Sequence, residues 1–369
     1  MKPESGLAAR PTFREEDVPR ILARIGNVLR SGRLILGPNT EDLEARLARY
    51  CGTRHAIAVS SCSAALEIAA WWARRRGGNG RVVVPTNTFV ATVASVERAG
   101  CNVVLCGITT NLCLDVEEAI ALAEGATAVV IVHIAGFISR GIDRLVQACR
   151  ERGTVVIEDC AHAQGAQLDG RRAGSLADAG CFSFYPTKIM TCGVGGVLTT
   201  DHDDLAAVAR SLRHHGAGAS LENILHPGTD WLMDEVRAVL ALAQLERLPE
   251  TLAHRRAVAT AYDRALPPQI EQITAAPGCV PAFYKYPVIL PESVDRDAVQ
   301  VQLRKQGIET GAVYSPLVHQ MPAFCHLTRP GLLSSEAILR RQLCLPMHER
   351  VDPDDCAEIA DKLITACEA

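Results

Sequence analysis

The sequence has no apolar run long enough to span a bilayer. Its opening, MKPESGLAARPTFREEDVPR, holds no hydrophobic signal core, so a cytoplasmic protein is expected. Neither sign of charge is in excess: Lys+Arg number 38 and Asp+Glu 42, for a net charge of -4. That near balance gives nucleic acid or an anionic membrane no electrostatic hold, and neither is expected as a partner. No C-x-x-C pair occurs among the fourteen cysteines. Without a signal peptide, a disulfide framework is not expected at this length. Cys101, Cys106 and Cys113 come closest to a cluster but sit in strand-like and helix-like apolar stretches. Most of the cysteines read as small buried hydrophobes, and no metal site is expected. Internal repeats, low-complexity tracts and charge blocks are missing as well.

What the chain does have is apolar surface to bury. Hydrophobic residues make up 48% of its 369 residues, which excludes disorder. Short runs rich in Val and Ile occur at 56–59, 81–85, 102–105, 128–134, 154–159, 180–184 and 195–200. They show little polar alternation, as strands buried on both faces do. Helix-like segments such as SAALEIAAWWARRR, FVATVASVERAG and GIDRLVQACRERG lie between them. Strand and helix in turn predict an α/β fold with a mostly parallel sheet flanked by helices. After residue 200 the pattern becomes helical, and two helices divided at Pro249 are expected. A break follows at 267–281, with four prolines and a glycine. The expected division is a large domain over 1–248, with an N-terminal arm, and a small C-terminal α+β domain over 249–369.

Lys188 stands in CFSFYPTKIMTCGVGG (181–196), between aromatics and a glycine cluster. A lysine in so apolar a stretch needs a partner or a suppressed charge. In open α/β sheets ligands bind at the carboxyl ends of the strands. TVVIEDCAH places Glu158 and Asp159 at such an end, and Lys188 follows strand 180–184 closely enough to share the rim. SSCSAALEIA (60–69) leads small hydroxyl residues out of a strand into a helix, whose N-terminal amides suit an anion. Taken singly, these features have ordinary structural explanations as a helix cap, a surface charge or core packing. Together they describe a pyridoxal phosphate (PLP) site: a lysine for the Schiff base, a carboxylate for the pyridine nitrogen and a helix N-terminus for the phosphate. Phe89 in PTNTFVAT can supply an aromatic against the ring.

With these motifs in order, the chain resembles the DegT/DnrJ/StrS sugar aminotransferases, a family with the aspartate-aminotransferase-like type I fold. The resemblance runs from RPTFREEDV to LCLPMHERVDPDD and includes SGRLILGP, HAIAVSSCSAALEIA, VVIEDCAHAQGA, RSLRHHG, LALAQLERL and GIETGAVYSPLVHQMPAF. It implies PLP as cofactor on a seven-stranded sheet. It implies Lys188 as the Schiff-base lysine, Asp159 as the pyridinium partner and His162 beside the ring and its phenolic oxygen. It also implies Phe89 stacked on the ring, and Ser63, the Cys62 backbone N–H and Ser183 at the phosphate. Asp230, in GTDWLM, falls where relatives carry an Asn that reaches across a dimer interface, so a homodimer with shared active sites is implied.

The chain also departs from the family. Asp230 brings a carboxylate toward a phosphate, Leu232 replaces an Arg, Val194 a Glu, Cys62 a Gly and Gly107 an Asp. His319 is a candidate for the substrate side. The implied reaction is transfer of an amino group from glutamate or glutamine to a keto-sugar, usually nucleotide-linked, or to a keto-cyclitol. The alternatives are a PLP-dependent sugar dehydratase, against which Lys188 argues because such relatives carry His there, and a non-catalytic sensor or regulator.

Overall fold

A computed structural model describes residues 1–6 and 12–369. The first two residues of RPTFREEDV lie outside the described residues. The seven apolar runs all form strands, in the spatial order His55–Val59, Gly196–Thr200, Ala179–Ser183, Val155–Asp159, Ala128–Val132, Arg81–Pro85 and Asn102–Cys106. Six run parallel to one another, and Gly196–Thr200 runs against both of its neighbours.

Successive side chains along a strand point to opposite faces, and here both faces are covered. Ile57, Val82, Val130 and Ile157 enter one core, while Ala58, Val83, Ile131 and Val156 enter the other. This double burial explains why the strands read as unbroken apolar runs. Helices Cys62–Arg76, Val90–Arg98, Ile142–Glu151 and Asp203–Leu212 follow the sequence reading. Helices Val18–Ser31, Pro38–Cys51 and Val116–Leu122 join them.

Pro249 does not divide two helices. Glu235–Ala265 is a single helix with Pro249 inside it. A proline removes one i→i−4 bond and crowds the preceding turn. Burial on both sides of it outweighs that cost: Leu242, Leu248 and Leu252 enter a core of the large sheet, and Val258, Ala259 and Tyr262 enter a separate small one. The boundary expected at 249 therefore falls inside a continuous helix. The small core is completed by strands Tyr286–Ile289 and Gln342–Leu345 and helices Arg296–Lys305 and Cys356–Glu368. All fourteen cysteines are free, and eleven are buried. Among the described residues no helix is long and apolar enough to cross a membrane.

Candidate active site

The sheet brings the site residues to one rim. Asp159 pairs with Val132 on one side and Cys181 on the other, so two strands end together and Ala179–Ser183 ends two residues further on. Gly196 lies opposite both Val59 and Ser183. The loop carrying Lys188 is thus tethered at both ends to this rim. A Cβ on Gly196 would lie 2.4 Å from the Ser61 carbonyl carbon and 2.5 Å from the Cys62 nitrogen. Glycine is needed there because the strand touches the start of helix Cys62–Arg76. Ser61 caps that helix, accepting from the Ala64 N–H at 3.1 Å. The amides of Cys62 and Ser63, in its first turn, have no intrahelical partner by position.

These elements enclose a cavity of about 430 Å³. Lys188, Asp159, His162, Cys62, Ser63, Phe89 and Ser183 all line it. Asp230 does not. It is exposed, and its Oδ1 accepts from the Leu232 N–H at 3.3 Å. The backbone beside it is fixed, since the Trp231 carbonyl accepts from the Ser60 N–H at 2.7 Å. Val194 lines the cavity with 45% of its surface exposed, whereas Leu232 is half-buried outside it. His319, the substrate-side candidate, is buried elsewhere. Its ring bonds Thr86 Oγ1 at 2.7 Å and Glu336 Oε1 at 3.0 Å, tying the loop after strand Arg81–Pro85 to helix Leu333–Arg340. In RHHG, Arg213 is buried and bonded to Glu44 and the Ala58 carbonyl, and neither His214 nor His215 reaches the cavity.

Asp159 and Glu158 part company because adjacent strand residues face opposite ways. Glu158 accepts from the N–H groups of Gly174, Leu176 and Ala177, at 2.9, 2.8 and 3.1 Å, and its Oε2 meets His133 Nε2 at 2.9 Å. Its role is to hold that turn. Asp159 faces the cavity. Its Oδ2 accepts from Thr92 Oγ1 at 2.8 Å and its Oδ1 from the Ala161 N–H at 3.0 Å. Thr88 Oγ1 in turn donates to Thr92 Oγ1 at 2.7 Å. Burial pushes the Asp159 carboxyl up, against the pull of Thr92, Ala161 and Lys188. Burial also pushes the Lys188 amine down to about 8, against the pull of Asp159 and Cys62. Lys188 Nζ lies 4.7 Å from the centre of the Tyr284 ring. Burial first, then the charges of Lys188 and Lys285, hold His162 well below the ordinary histidine range.

Thr92, Tyr284 and Tyr314 also line the cavity, and the sequence reading did not single them out. Thr92 was within reach of inspection, as a hydroxyl one helical turn after the PTNT loop. The tyrosines come from far along the chain; Tyr314 falls in the family-like stretch GIETGAVYSPLVHQMPAF, where only His319 was picked out.

The donor set suits PLP. An amine whose basicity burial lowers, a buried carboxylate and a free helix N-terminus all meet in one cavity. The family model of the DegT/DnrJ/EryC1/StrS aminotransferases matches residues 15–364. The chain belongs to this family. It is 35% identical over 334 residues to the GDP-perosamine synthase of Caulobacter vibrioides, covering 88% of each chain. It is 31% identical over 360 residues to a pleiotropic regulatory protein of Geobacillus stearothermophilus, covering 95% of each. The crystal structure of DesV from S. venezuelae superposes with a TM-score of 0.90 at 30% identity, covering 98% of this chain and 99% of that one. The protein is a PLP-dependent aminotransferase of a sugar aminotransferase family, and the model has that family's fold.

Proposed function

We propose that this aminotransferase moves an amino group from glutamate or glutamine to a keto-sugar, nucleotide-linked or free, or to a keto-cyclitol. The observation that carries the reading is the convergence of Lys188 and Asp159 in one cavity beneath a helix N-terminus. The name of the Caulobacter relative supports a sugar acceptor.

When bound, PLP supplies an electron sink that makes the hydrogen on the amino-bearing carbon acidic. The protein does the rest. The amides of Cys62 and Ser63, with the hydroxyls of Ser63 and Ser183, hold the phosphate at the positive end of the helix. Phe89 would cover one face of the ring, and Asp159, held charged by Thr92 and Ala161, would keep the pyridine nitrogen protonated. Lys188 would hold the cofactor, and its lowered basicity would suit it to take up and return the proton of the amino-bearing carbon.

Val194 faces the cavity, so the replacement of a family Glu there bears on the acceptor. Leu232 and Asp230 lie outside this chain's own cavity. They suit a segment donated to the site of a second copy in a homodimer. The regulator reading has one finding in its favour, the name of the Geobacillus relative. The full donor set around Lys188 favours the enzyme. The test is to incubate the PLP-loaded protein with glutamate or glutamine and follow its visible absorbance, then assay a panel of keto-sugars and keto-cyclitols by mass spectrometry. A donor-induced spectral change followed by an aminated product is expected. No spectral response to any amino donor would refute an enzymatic role.

A further inference from the structure

Arg255 is a buried charge that lines no part of the cofactor cavity. It lies within helix Glu235–Ala265 and is 5% exposed. Burying a charge without a counter-charge is costly. Yet every hydrogen bond it makes among the described residues ends on a backbone carbonyl. Nη1 donates to the carbonyls of Phe283, Tyr284 and Met347, at 3.0, 3.3 and 3.1 Å. Its Nε is buried with no partner. Burial lowers the guanidinium to about 10, against the pull of Glu349, and leaves it charged at neutral pH.

The segment held in this way is strained. Phe283 has φ of 49°, a left-handed conformation that a bulky residue keeps only where its surroundings impose it. The large domain holds the same segment. The Ala282 N–H donates to the Gly136 carbonyl at 3.0 Å, and the Lys285 N–H to the Ala135 carbonyl at 3.3 Å. Met347 follows strand Gln342–Leu345 of the small core. One nitrogen of Arg255 therefore joins the long helix, the end of a small-domain strand and the strained turn.

Tyr284 carries the constraint onward. Its ring stacks on His162, centres 4.1 Å apart, and lies 4.7 Å from Lys188 Nζ. Its hydroxyl lies 3.0 Å from Oγ1 of Thr187, the residue before Lys188.

We propose that Arg255 is a positioning residue for the amino transfer: its clamp on the Phe283 and Tyr284 carbonyls holds the Tyr284 ring against Lys188. Without the clamp, Phe283 relaxes from its left-handed conformation, the ring turns away and water reaches the amine. Burial is the leading cause of the low basicity of that amine, so its basicity then rises. The proposal rests on Lys188 as the lysine that holds the cofactor, and not on which acceptor is used.

The test compares Arg255→Met, which keeps a long side chain and removes the charge and the donors, with the wild type. Melting temperature is the folding control. The half-reaction of the holoenzyme with the amino donor is followed by absorbance across pH. The cofactor is then removed, and its re-condensation is timed across pH, with borohydride labelling to locate the lysine. The condensation midpoint is expected to rise from about 8 by about one pH unit, which leaves about eight-fold less neutral amine at pH 7.5. The donor half-reaction is expected to slow by a similar factor. A purely structural arginine would lower the melting temperature and leave the midpoint in place, so a wild-type midpoint in folded Arg255→Met overturns the proposal. If that variant does not fold, Tyr284→Leu is read instead, and an unmoved midpoint there overturns it. A wild-type label on a lysine other than Lys188 overturns the role of Lys188 and this proposal together; a label on Lys188 with an unmoved midpoint overturns this proposal alone.

Discussion

Thr92 offers a direct test of how the site holds its carboxylate. Asp159 is buried, and burial works against its charge. Two bonds oppose that cost, from Thr92 Oγ1 and from the Ala161 N–H. Thr92→Val keeps the shape and deletes one of the two donors. Thr88 Oγ1, which donates to Thr92, loses its acceptor in the same step. A hydrogen bond to a charged group contributes about 2 kcal/mol. If all of it appears in the grip on the pyridinium nitrogen, cofactor affinity falls roughly thirty-fold. The sign follows from the cause: with less support the carboxyl moves further up, its neutral form gains, and a neutral acid cannot hold a protonated ring nitrogen. The assay is equilibrium dialysis of the cofactor alongside an absorbance titration. Thr92→Ser keeps the hydroxyl and serves as control, and Asp159→Asn marks the full loss. Wild-type affinity and spectrum in Thr92→Val would show that Thr92 is ordinary packing and refute the argument.

Further outcomes are expected at Lys188 and Gly196. With its amine lowered to about 8, Lys188 in the cofactor-free protein should be roughly a quarter neutral at pH 7.5. Its rate of condensation with added cofactor should therefore rise with a midpoint near that value, and borohydride should fix the pyridoxyl label on Lys188. A midpoint in the ordinary lysine range near 10.5, or a label on Lys285, would contradict this. The same shift means that burial of the charged amine weakens the cofactor-free fold below about pH 8, and that this cost fades as the pH rises from there toward 10.5. Gly196→Ala should destabilise the fold by about 1–3 kcal/mol and weaken cofactor binding, because its Cβ would drive the strand away from Ser61 and Cys62. Thermal melting with and without cofactor checks both effects.

Much of the architecture was legible in the sequence because the sheet is buried on both faces. Val- and Ile-rich runs leave little doubt about strands of that kind, and all seven were where the runs placed them. Lys188 and Asp159 could be named because Asp159 ends one strand and Lys188 follows another closely, and strand ends in such a sheet share one rim. Phe89 was offered as the aromatic against the ring, the family resemblance added Cys62, Ser63, His162 and Ser183, and all of these line the cavity.

Local pattern could not supply the contacts between distant segments. Pro249 signals a helix end by its own chemistry, yet burial against two separate cores carries the helix through it. His319 looked available for substrate until folding placed it between Thr86 and Glu336. Tyr284 and Tyr314 reach the cavity from segments more than 90 residues beyond Lys188, and no periodicity near them points there. The hydrogen bonds from Ala135 to His162 and between His162 and Tyr314 join three separate parts of the chain. Sequence determines which chemistry is present, through residue types and strand ends. Only tertiary packing decides which groups face each other, because hydrogen bonds and burial depend on distances between segments that the order of residues does not state.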